Sequence, residues 1–166
     1  MARVFRGEGL HKVDAKGRVS IPALFRRTLE AADPDWTEGL NPNLVIVYGD
    51  HRQNHLECFS MEAIAEVDAR INRMKRGSRE RRMAERLITG KSLPTSVDET
   101  GRLVLPAKLR QKIGLEGDAY FIASGDTFQI WNPATYEAEE AADTESWLDD
   151  QDEDFDIFSI LPEDEA

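Results

Sequence analysis

Two arginines stand at the same place in a short motif that occurs twice in this sequence, and their side chains suit nucleic-acid chemistry. Arg18 closes the run Asp14-Ala-Lys-Gly-Arg, and Arg102 closes the run Asp98-Glu-Thr-Gly-Arg. A guanidinium can bridge O6 and N7 of guanine, or hold a phosphate with two parallel hydrogen bonds. A two-stranded hairpin is narrow enough to approach the major groove. The motif therefore points to DNA binding as the chemistry that the rest of the chain must support.

The motif belongs to a longer internal repeat, because residues 14–26 align without gaps on residues 98–110. Six of the thirteen positions are identical. The identical pairs are Asp14/Asp98, Gly17/Gly101, Arg18/Arg102, Pro22/Pro106, Ala23/Ala107 and Arg26/Arg110. A duplication of this kind determines the whole fold, since each copy is one structural unit.

Each copy reads as strand, tight turn, strand, short helix and two further strands. Asp14 and Asp98 are turn residues that accept backbone N–H bonds, and Gly17 and Gly101 are free to adopt positive φ, so each turn is predicted to close a hairpin. Pro22 and Pro106 then end the second strand and suit the first position of a helix, where no N–H is needed. These six residues are therefore predicted to be structural.

The first copy is the better candidate for contact with DNA. Residues 1–27 hold seven bases and two acids, whereas Glu99 and Thr100 replace Ala15 and Lys16 in the second turn. We therefore expect Arg18 and Lys16 to be the primary contacts. The supporting residues are Lys12, Arg6 and Arg3, and Arg102 is either a secondary contact or a purely structural residue.

An alternative role for both arginines is structural. Each follows its own aspartate by four residues, so the pair can bridge the turn and simply make it rigid. This reading is the stronger one for Arg102, and the two roles can coexist. Asp14 and Asp98 are in either case acceptors within the turn rather than acids that act on a substrate.

The charge of the chain is divided unevenly. The 166 residues contain 21 Lys and Arg against 32 Asp and Glu, for a net charge of −11, which taken alone argues against a nucleic-acid partner. Residues 137–166, however, hold 14 of the acids and no base, and residues 1–136 carry a net charge of +3. A segment so acidic is predicted to be flexible, and it could compete with DNA for the basic turns.

A basic helical connector joins the two copies. Ile64, Val67, Ile71 and Met74 recur at helical spacing, and residues 70–91 contain nine bases and two acids. Such a face is most often exposed to water, but it could also meet an acidic surface of a neighbouring subunit. Direct contact with DNA is the third alternative.

Other chemistries find little support. His51, His55 and Cys58 include zinc-ligand types, but no fourth ligand is evident, so no metal and no cofactor are expected. Ser20 and Ser60 lack a His–Asp partnership, which argues against an enzyme with a small-molecule substrate. The single cysteine cannot form an internal disulfide, the N-terminus lacks the apolar run of a secretory signal, and the apolar stretches are strand-sized. The expected location is the cytoplasm, without a membrane contact.

The duplicated Asp-x-x-Gly-Arg turns, each followed by an apolar-x-apolar-Pro strand end, together with Phe5-Arg-Gly and the final Phe-x-Ile-Trp strand, resemble the MraZ family of bacterial transcriptional regulators. The resemblance runs from about Phe5 to about Tyr136. It implies an α+β fold that is mainly β, in which two SpoVT-AbrB-type repeats form one β-barrel-like module with flanking helices. The acidic tail is an addition to the family pattern.

The resemblance also implies a function. Family members form ring-shaped homo-oligomers on short tandem repeats of double-stranded DNA, in the promoter of the cell-division and cell-wall gene cluster, and would be associated with the nucleoid. The corresponding organisation here is repeat 1 over 8–62, the basic connector over 63–91, repeat 2 over 92–135 and the acidic tail over 136–166. The alternative is an antitoxin-like or assembly module that grips a protein partner with the same fold.

Overall fold

The structure is a computed structural model that describes residues 2–164. It divides into two compact units, one ending at Pro133 and one beginning at Ala134. The first unit contains both Asp-x-x-Gly-Arg turns, and the second contains 14 of the 32 acidic residues and no Lys or Arg.

The first unit is a mixed α and β structure in which strands predominate. Its strands, in chain order, are β1 (Glu8–Lys12), β2 (Arg18–Ser20), β3 (Asn43–Val47), β4 (His55–Ser60), β5 (Ser92–Ser96), β6 (Arg102–Val104), β7 (Asp118–Ser124) and β8 (Thr127–Trp131). Its helices are α1 (Ala23–Ala31), α2 (Met61–Asn72), α3 (Arg79–Ala84) and α4 (Ala107–Ile113).

Six strands form one antiparallel sheet in the order β1-β7-β8-β4-β3-β5, and β2 and β6 form a separate two-stranded sheet. The two copies of the repeat therefore share one sheet, since β1 pairs with β7 and β5 pairs with β3. No closed barrel is present in residues 2–164, because β1 and β5 remain at the edges of the sheet. The expected barrel-like closure is thus not observed.

The strands on either side of each turn do not form the predicted hairpin. After the first turn only the bridge between Val13 and Val19 joins the two sides, and β2 pairs instead with β6 from the other copy. Two further hydrogen bonds stabilise the pairing of β2 with β6. They run from Ile21 N–H to the Gly101 carbonyl (3.0 Å) and from Leu105 N–H to the Gly17 carbonyl (2.8 Å). The turns themselves are as predicted, but the two-stranded sheet that they support is built from one strand of each copy.

The core lies under the six-stranded sheet and receives side chains from both copies. Val19 and Leu103 enter it from the two-stranded sheet, and Phe25 and Leu109 enter it from α1 and α4. Phe5 is also buried, in edge-to-face contact with Phe25 and Phe128. The further fully buried residues include Leu29, Leu44, Ile46, Leu56, Leu105, Phe121 and Ile130. Because this apolar surface is contiguous, the two copies are stabilised together.

The helices begin and end where their sequence directs. Pro22 and Pro106 immediately precede α1 and α4 with extended backbone, one position earlier than predicted. Ser60 starts α2 by accepting the N–H of Ala63. Gly114 ends α4 in the left-handed conformation, with φ of 65°. The connector is α2, a break at Gly77, α3 and a π-helical turn over Glu85–Thr89.

The second unit is helical in its first half. A short helix, α5 (Pro133–Tyr136), leads through a π-helical turn (Glu137–Ala141) to α6 (Ala142–Asp149), and a 3₁₀ turn follows over Ile157–Ile160. Trp147 and Phe155 pack edge to face within it, with ring centroids 5.6 Å apart. The flexibility expected of this acidic segment stays a prediction.

Candidate nucleic-acid interface

The turn that carries Arg18 is organised by one carboxylate. Asp14 Oδ1 accepts the backbone N–H groups of Lys16 and Arg18, both at 2.9 Å, and Oδ2 accepts Arg18 Nε–H at 2.6 Å. The backbone N–H of Arg18 is the main reason that the pKa of Asp14 lies below its ordinary value, with Arg18 Nε–H adding to the effect. The turn therefore holds Asp14 ionised and Arg18 in a defined position.

The second turn uses the same design with one difference. Asp98 Oδ1 accepts the N–H groups of Thr100 and Arg102, both at 2.9 Å, and the bond from Arg102 N–H is the first cause of the lowered pKa of Asp98. Arg102 Nε donates to Thr100 Oγ1 at 2.9 Å and lies 3.6 Å from Asp98 Oδ2. The Thr100 hydroxyl thus accepts from Arg102 Nε, whereas in the first turn the equivalent Arg18 Nε donates to Asp14 Oδ2.

The pairing of β2 with β6 brings both arginines to one surface. Arg18 stands opposite Val104, and Ser20 stands opposite Arg102, while Val19 and Leu103 between them point into the core. Because side chains alternate along a strand, Arg18, Ser20, Arg102 and Val104 share the outward face. Arg18 and Arg102 are diagonal neighbours, about 7–8 Å apart at their backbones by sheet geometry. We call this four-residue surface the ribbon face.

Both guanidinium groups remain accessible. The Arg18 and Arg102 side chains are 40% and 39% exposed although each contacts its own turn. A guanidinium has five N–H donors, so a single bond within the turn leaves donors for a phosphate or a guanine edge. The structural pairing expected as the alternative is therefore formed in both turns, and it is compatible with contact to DNA.

The charges near the ribbon face are unequal. The first turn has two bases and one acid from Asp14 to Arg18, and the second has one base and two acids from Asp98 to Arg102. Lys12, exposed at the end of β1, stands opposite Asp118 and adjoins the first turn. The side of the ribbon nearest the first turn is accordingly the more favourable one for a phosphate backbone.

Two of the predicted supporting residues lie elsewhere. Arg6 precedes the far end of β1, six residues before Lys12, which is about 20 Å away along an extended strand. Arg3 is held against α2, because its side chain pairs with Glu62 at 2.8 Å. The structure thus brings together Arg18, Lys16, Lys12 and Arg102, and it separates Arg6 and Arg3 from them.

The sequence reasoning missed residues that hold or complete the ribbon face. Arg26 donates to the carbonyl of Asp98 in the opposite turn, and Arg110 Nε donates to the Leu105 carbonyl at 2.9 Å. Val104, 48% exposed, places an apolar side chain directly opposite Arg18. Two features of the sequence could have indicated these residues. Arg26 and Arg110 occupy the same position of the repeat, and each turn is followed by an alternating segment, Arg-x-Ser after the first and Arg-x-Val after the second.

The residues of zinc-ligand type on β4 do not converge. His55 and Cys58 lie three residues apart on β4, so their side chains point to opposite faces of the sheet. Cys58 is completely buried, and burial raises the pKa of its thiol. His55 stacks on Trp131 and contacts Glu57. In the part of the chain that the structure describes, no group of three His, Cys, Asp or Glu side chains could hold a metal ion.

The described helices also bear on membrane contact. No helix within residues 2–164 is both long enough and apolar enough to cross a bilayer.

The fold and the ribbon face define a strand-rich protein that displays arginines on a two-stranded ribbon. A model of the family described as "MraZ protein, putative antitoxin-like" matches residues 93–158. The chain is 70% identical to "Transcriptional regulator MraZ" of Ruegeria pomeroyi over 97% of its own length and 96% of the relative's. It is 64% identical to the protein of the same name from Ruegeria sp. (strain TM1040), with the same coverage, and 43% identical to that of Cereibacter sphaeroides (strain ATCC 17029 / ATH 2.4.9), over 89% of this chain and 91% of the relative. The chain belongs to the MraZ family, and these relatives are named as transcriptional regulators.

Proposed function

We propose that this protein is a sequence-specific DNA-binding transcriptional regulator that contacts double-stranded promoter DNA with the ribbon face and the turn at residues 14–17. The observation that carries the proposal is the placement of two accessible arginines on the outward face of a ribbon whose inward face is core. A ribbon of two strands fits the major groove, which is about 12 Å wide. It acts at the nucleoid, in the cytoplasm.

The residues divide into three roles. Arg18 reads a base edge or grips a phosphate, and Lys16 and Lys12 bind phosphates on either side of it. Arg102 is a secondary contact, because the carboxylate of Glu99 in its turn repels a phosphate. Arg6 and Arg3 belong to the periphery, where a bent or tandem site could reach them.

A single ribbon offers few contacts, which supports a multivalent mechanism. One small module gives only weak specific affinity, whereas subunits joined in a ring bind tandem repeats at high effective concentration once the first is seated. We infer that the protein acts as a ring-shaped homo-oligomer built from SpoVT-AbrB-type repeats, on short tandem repeats in the promoter of the cell-division and cell-wall gene cluster. The resemblance of the two turns to the family pattern supports this inference.

The test compares Arg18→Ala with Arg52→Ala in the full-length protein. Arg52 is a matched control, since it too pairs with an aspartate, Asp50, and lies on a different turn. We expect Arg18→Ala to weaken binding to DNA fragments selected from the organism's genome by about tenfold or more, as for loss of a bidentate contact. Arg52→Ala should bind like the parent.

The melting temperature separates contact from scaffolding. An Arg18→Ala variant that loses DNA binding and melts like Arg52→Ala supports direct contact. A variant that loses binding only because it melts far lower would overturn the assignment of Arg18. For the multivalent mechanism, one isolated repeat should bind much more weakly than the tandem array in a mobility-shift assay, and equal binding would contradict it.

A second candidate function is a module that grips a protein partner. The family model's description as antitoxin-like and the 14 acids of residues 137–166, which could dock a basic partner, favour it. Selection of bound genomic fragments distinguishes the two functions. Enrichment of one recurring sequence that disappears with Arg18→Ala supports the regulator, and no enriched sequence with the parent protein supports the partner-binding module.

A further inference from the structure

An apolar groove lies on the face of the sheet opposite the core. Its two adjoining cavities have volumes of about 440 and 320 Å³, within the range of about 300–1,000 Å³ found for binding pockets. Val47 and Phe59 form the floor that both cavities share. The walls are Val67 and Ile71 from α2, Met74 just after it, and Met83, Ala84, Leu87 and Ile88 from α3 and the π-helical turn. Asp50, Gln53 and Glu57 also line the smaller cavity.

Specific contacts build this groove into the fold. A Cβ atom on Gly49 would lie 1.9 Å from the carbonyl oxygen of Leu87, so the close approach of the π-helical turn to the sheet requires glycine there. Tyr48 N–H donates to the Lys91 carbonyl at 3.0 Å at the same end. At the other end, Arg81 is buried and donates to the Met74 carbonyl at 2.9 Å, which ties α3 to the end of α2. The groove is therefore a fixed feature of the connector.

The rim of the larger cavity is basic, whereas two acids, Asp50 and Glu57, line the smaller cavity. Arg70 lines the larger cavity, and it begins the stretch of residues 70–91 with nine bases and two acids. The exposed bases of this stretch are Arg70, Arg73, Lys75, Arg76, Arg79, Arg82, Arg86 and Lys91. An occupant of the larger cavity should consequently combine large apolar side chains with a high density of negative charge.

Residues 155–161 have that combination. The 3₁₀ turn over Ile157–Ile160 is capped by Asp156, whose carboxylate accepts the N–H of Phe158 at 3.0 Å. Phe158 is 70% exposed, and Ile157, Ile160 and Leu161 are exposed by more than half. Asp152, Glu153, Asp154 and Asp156 precede or begin this turn, and Glu163 and Asp164 follow it. Such a cluster of exposed apolar side chains marks an interaction site, and its ordered turn lowers the entropy cost of binding.

We propose that the groove receives residues 155–161 from a second copy of this chain. The groove offers an apolar lining and the four side chains offer exposed apolar surface, so a second copy can cover both. The acids of the tail and the bases of the connector come from one sequence, which makes the complementarity available whenever two copies meet. This contact goes beyond DNA recognition and would link neighbouring subunits in a defined direction.

Photo-cross-linking of the full-length protein tests the proposal. The Phe158→p-benzoylphenylalanine variant is prepared once with natural isotopes and once with ¹⁵N. The two preparations are mixed, allowed to exchange subunits and irradiated. Mass spectrometry should find residue 158 joined to peptides from 61–74 and 79–89, in pairs that combine the two isotopes. Links only within one isotope would assign the groove to the chain's own tail, and links to other peptides would remove the groove altogether, so either result overturns the proposal.

Charge variants supply the matched control. Arg70→Glu reverses a charge on the rim and should lower the yield of mixed cross-links by about fivefold or more, as expected for like-charge juxtaposition. Arg27→Glu reverses an exposed charge on α1, away from the groove, and should leave the yield unchanged. Equal yields for the two variants would contradict the role of the basic rim. Arg18→Ala should also leave the yield unchanged, so failure of this contact and failure of DNA binding are separable.

Discussion

Gly17 and Gly101 hold equivalent places in the two turns, but their surroundings differ. Both have positive φ, +85° and +81°. A Cβ atom on Gly17 would lie 2.2 Å from the carbonyl oxygen of Leu105, whereas a Cβ on Gly101 would meet nothing within 4 Å. Glycine is therefore required at position 17 for two reasons, the positive φ of its turn and the close approach of Leu105 from the other copy. At position 101 only the positive φ of the turn requires it.

This difference predicts unequal effects of the same substitution. Gly101→Ala should lower the free energy of unfolding by about 1 kcal/mol, the cost of a left-handed alanine. Gly17→Ala adds a clash with a backbone that cannot move freely, so we expect a loss of about 3 kcal/mol, at the upper end for single substitutions. Urea denaturation of both variants measures the difference. Equal losses would mean that Leu105 is not held against the first turn.

The two turn aspartates give stability a defined pH dependence. Hydrogen bonds from Arg18 and Arg102 lower the pKa of Asp14 and Asp98 below the ordinary value of 3.8. A lowered folded-state pKa stabilises the protein above the unfolded-state pKa, and that stabilisation is lost as the pH falls through the folded-state pKa. An asparagine Oδ1 can still accept the backbone N–H groups, but its Nδ2 cannot accept from Arg18 Nε, so replacement of both by Asn removes the charge together with that side-chain bond.

The Asp14→Asn, Asp98→Asn double variant should therefore melt several degrees below the parent at neutral pH, and the difference should close as the pH falls below about 3.8, where the parent's own carboxylates become protonated. Melting temperature as a function of pH measures it. Asp68→Asn, an exposed change on α2 outside both turns, is the control and should shift little. A difference that stays constant down to low pH would show that charge does not stabilise the turns.

At the scale of elements, α2 and α3 are each started by a serine, but in different environments. Ser60 is fully buried and its Oγ accepts the N–H of Ala63 at 3.1 Å. Ser78 is only partly buried and accepts the N–H of Arg81 at 3.2 Å. Loss of a cap costs about 0.5–2 kcal/mol, and the cost is greater where water cannot replace the bond.

Ser60→Ala should accordingly lower the free energy of unfolding by about 1.5–2 kcal/mol, and Ser78→Ala by about 0.5–1 kcal/mol. Chemical denaturation of the two variants gives both values. The reverse order would indicate that α3 and its following turn contribute more to stability than α2 does.

The elements also show what sequence patterns can predict. The final Phe-x-Ile-Trp segment was expected to be a strand and lies in β8, Thr127–Trp131, because alternation is a local signal. The pairing of β2 with β6 was not predicted, since it depends on two segments 84 residues apart meeting across the core. For the same reason the predicted site did not include Val104, Arg26 and Arg110, which lie on or hold the ribbon face. Contact of Arg18 and Arg102 with DNA stays a prediction.

At the scale of the whole molecule, charge is the property that divides the chain. The net charge of −11 is the sum of +3 over residues 1–136 and −14 over residues 137–166. A polyanionic segment on a DNA-binding protein repels the phosphate backbone at long range, whether or not it touches the basic turns. Such repulsion acts over the Debye length, about 30 Å at 0.01 M salt and about 8 Å at 0.15 M.

Partial neutralisation of the tail should therefore strengthen DNA binding, mostly at low salt. A full-length variant with Asp149, Asp150 and Asp152 changed to Asn, Glu153 to Gln and Asp154 to Asn keeps the apolar residues 155–161 and removes five negative charges. We expect its affinity for promoter DNA to rise by about tenfold near 0.02 M salt, chiefly through faster association, and to approach the parent's at 0.3 M.

Adding Arg18→Ala to the neutralised variant shows whether the gain in DNA affinity arises at the ribbon face. If it does, the combined variant should lose that gain. Equal affinities of the parent and the neutralised protein at low salt would instead mean that the tail's charge is already balanced by the protein itself, as it would be if the basic connector of a neighbouring copy held it. The cross-linking yield of the neutralised protein distinguishes a tail that repels DNA from a tail held by a neighbouring copy. If the connector of a neighbouring copy holds the tail, removing five acids next to residues 155–161 should weaken the contact with the groove and release the bases of the connector.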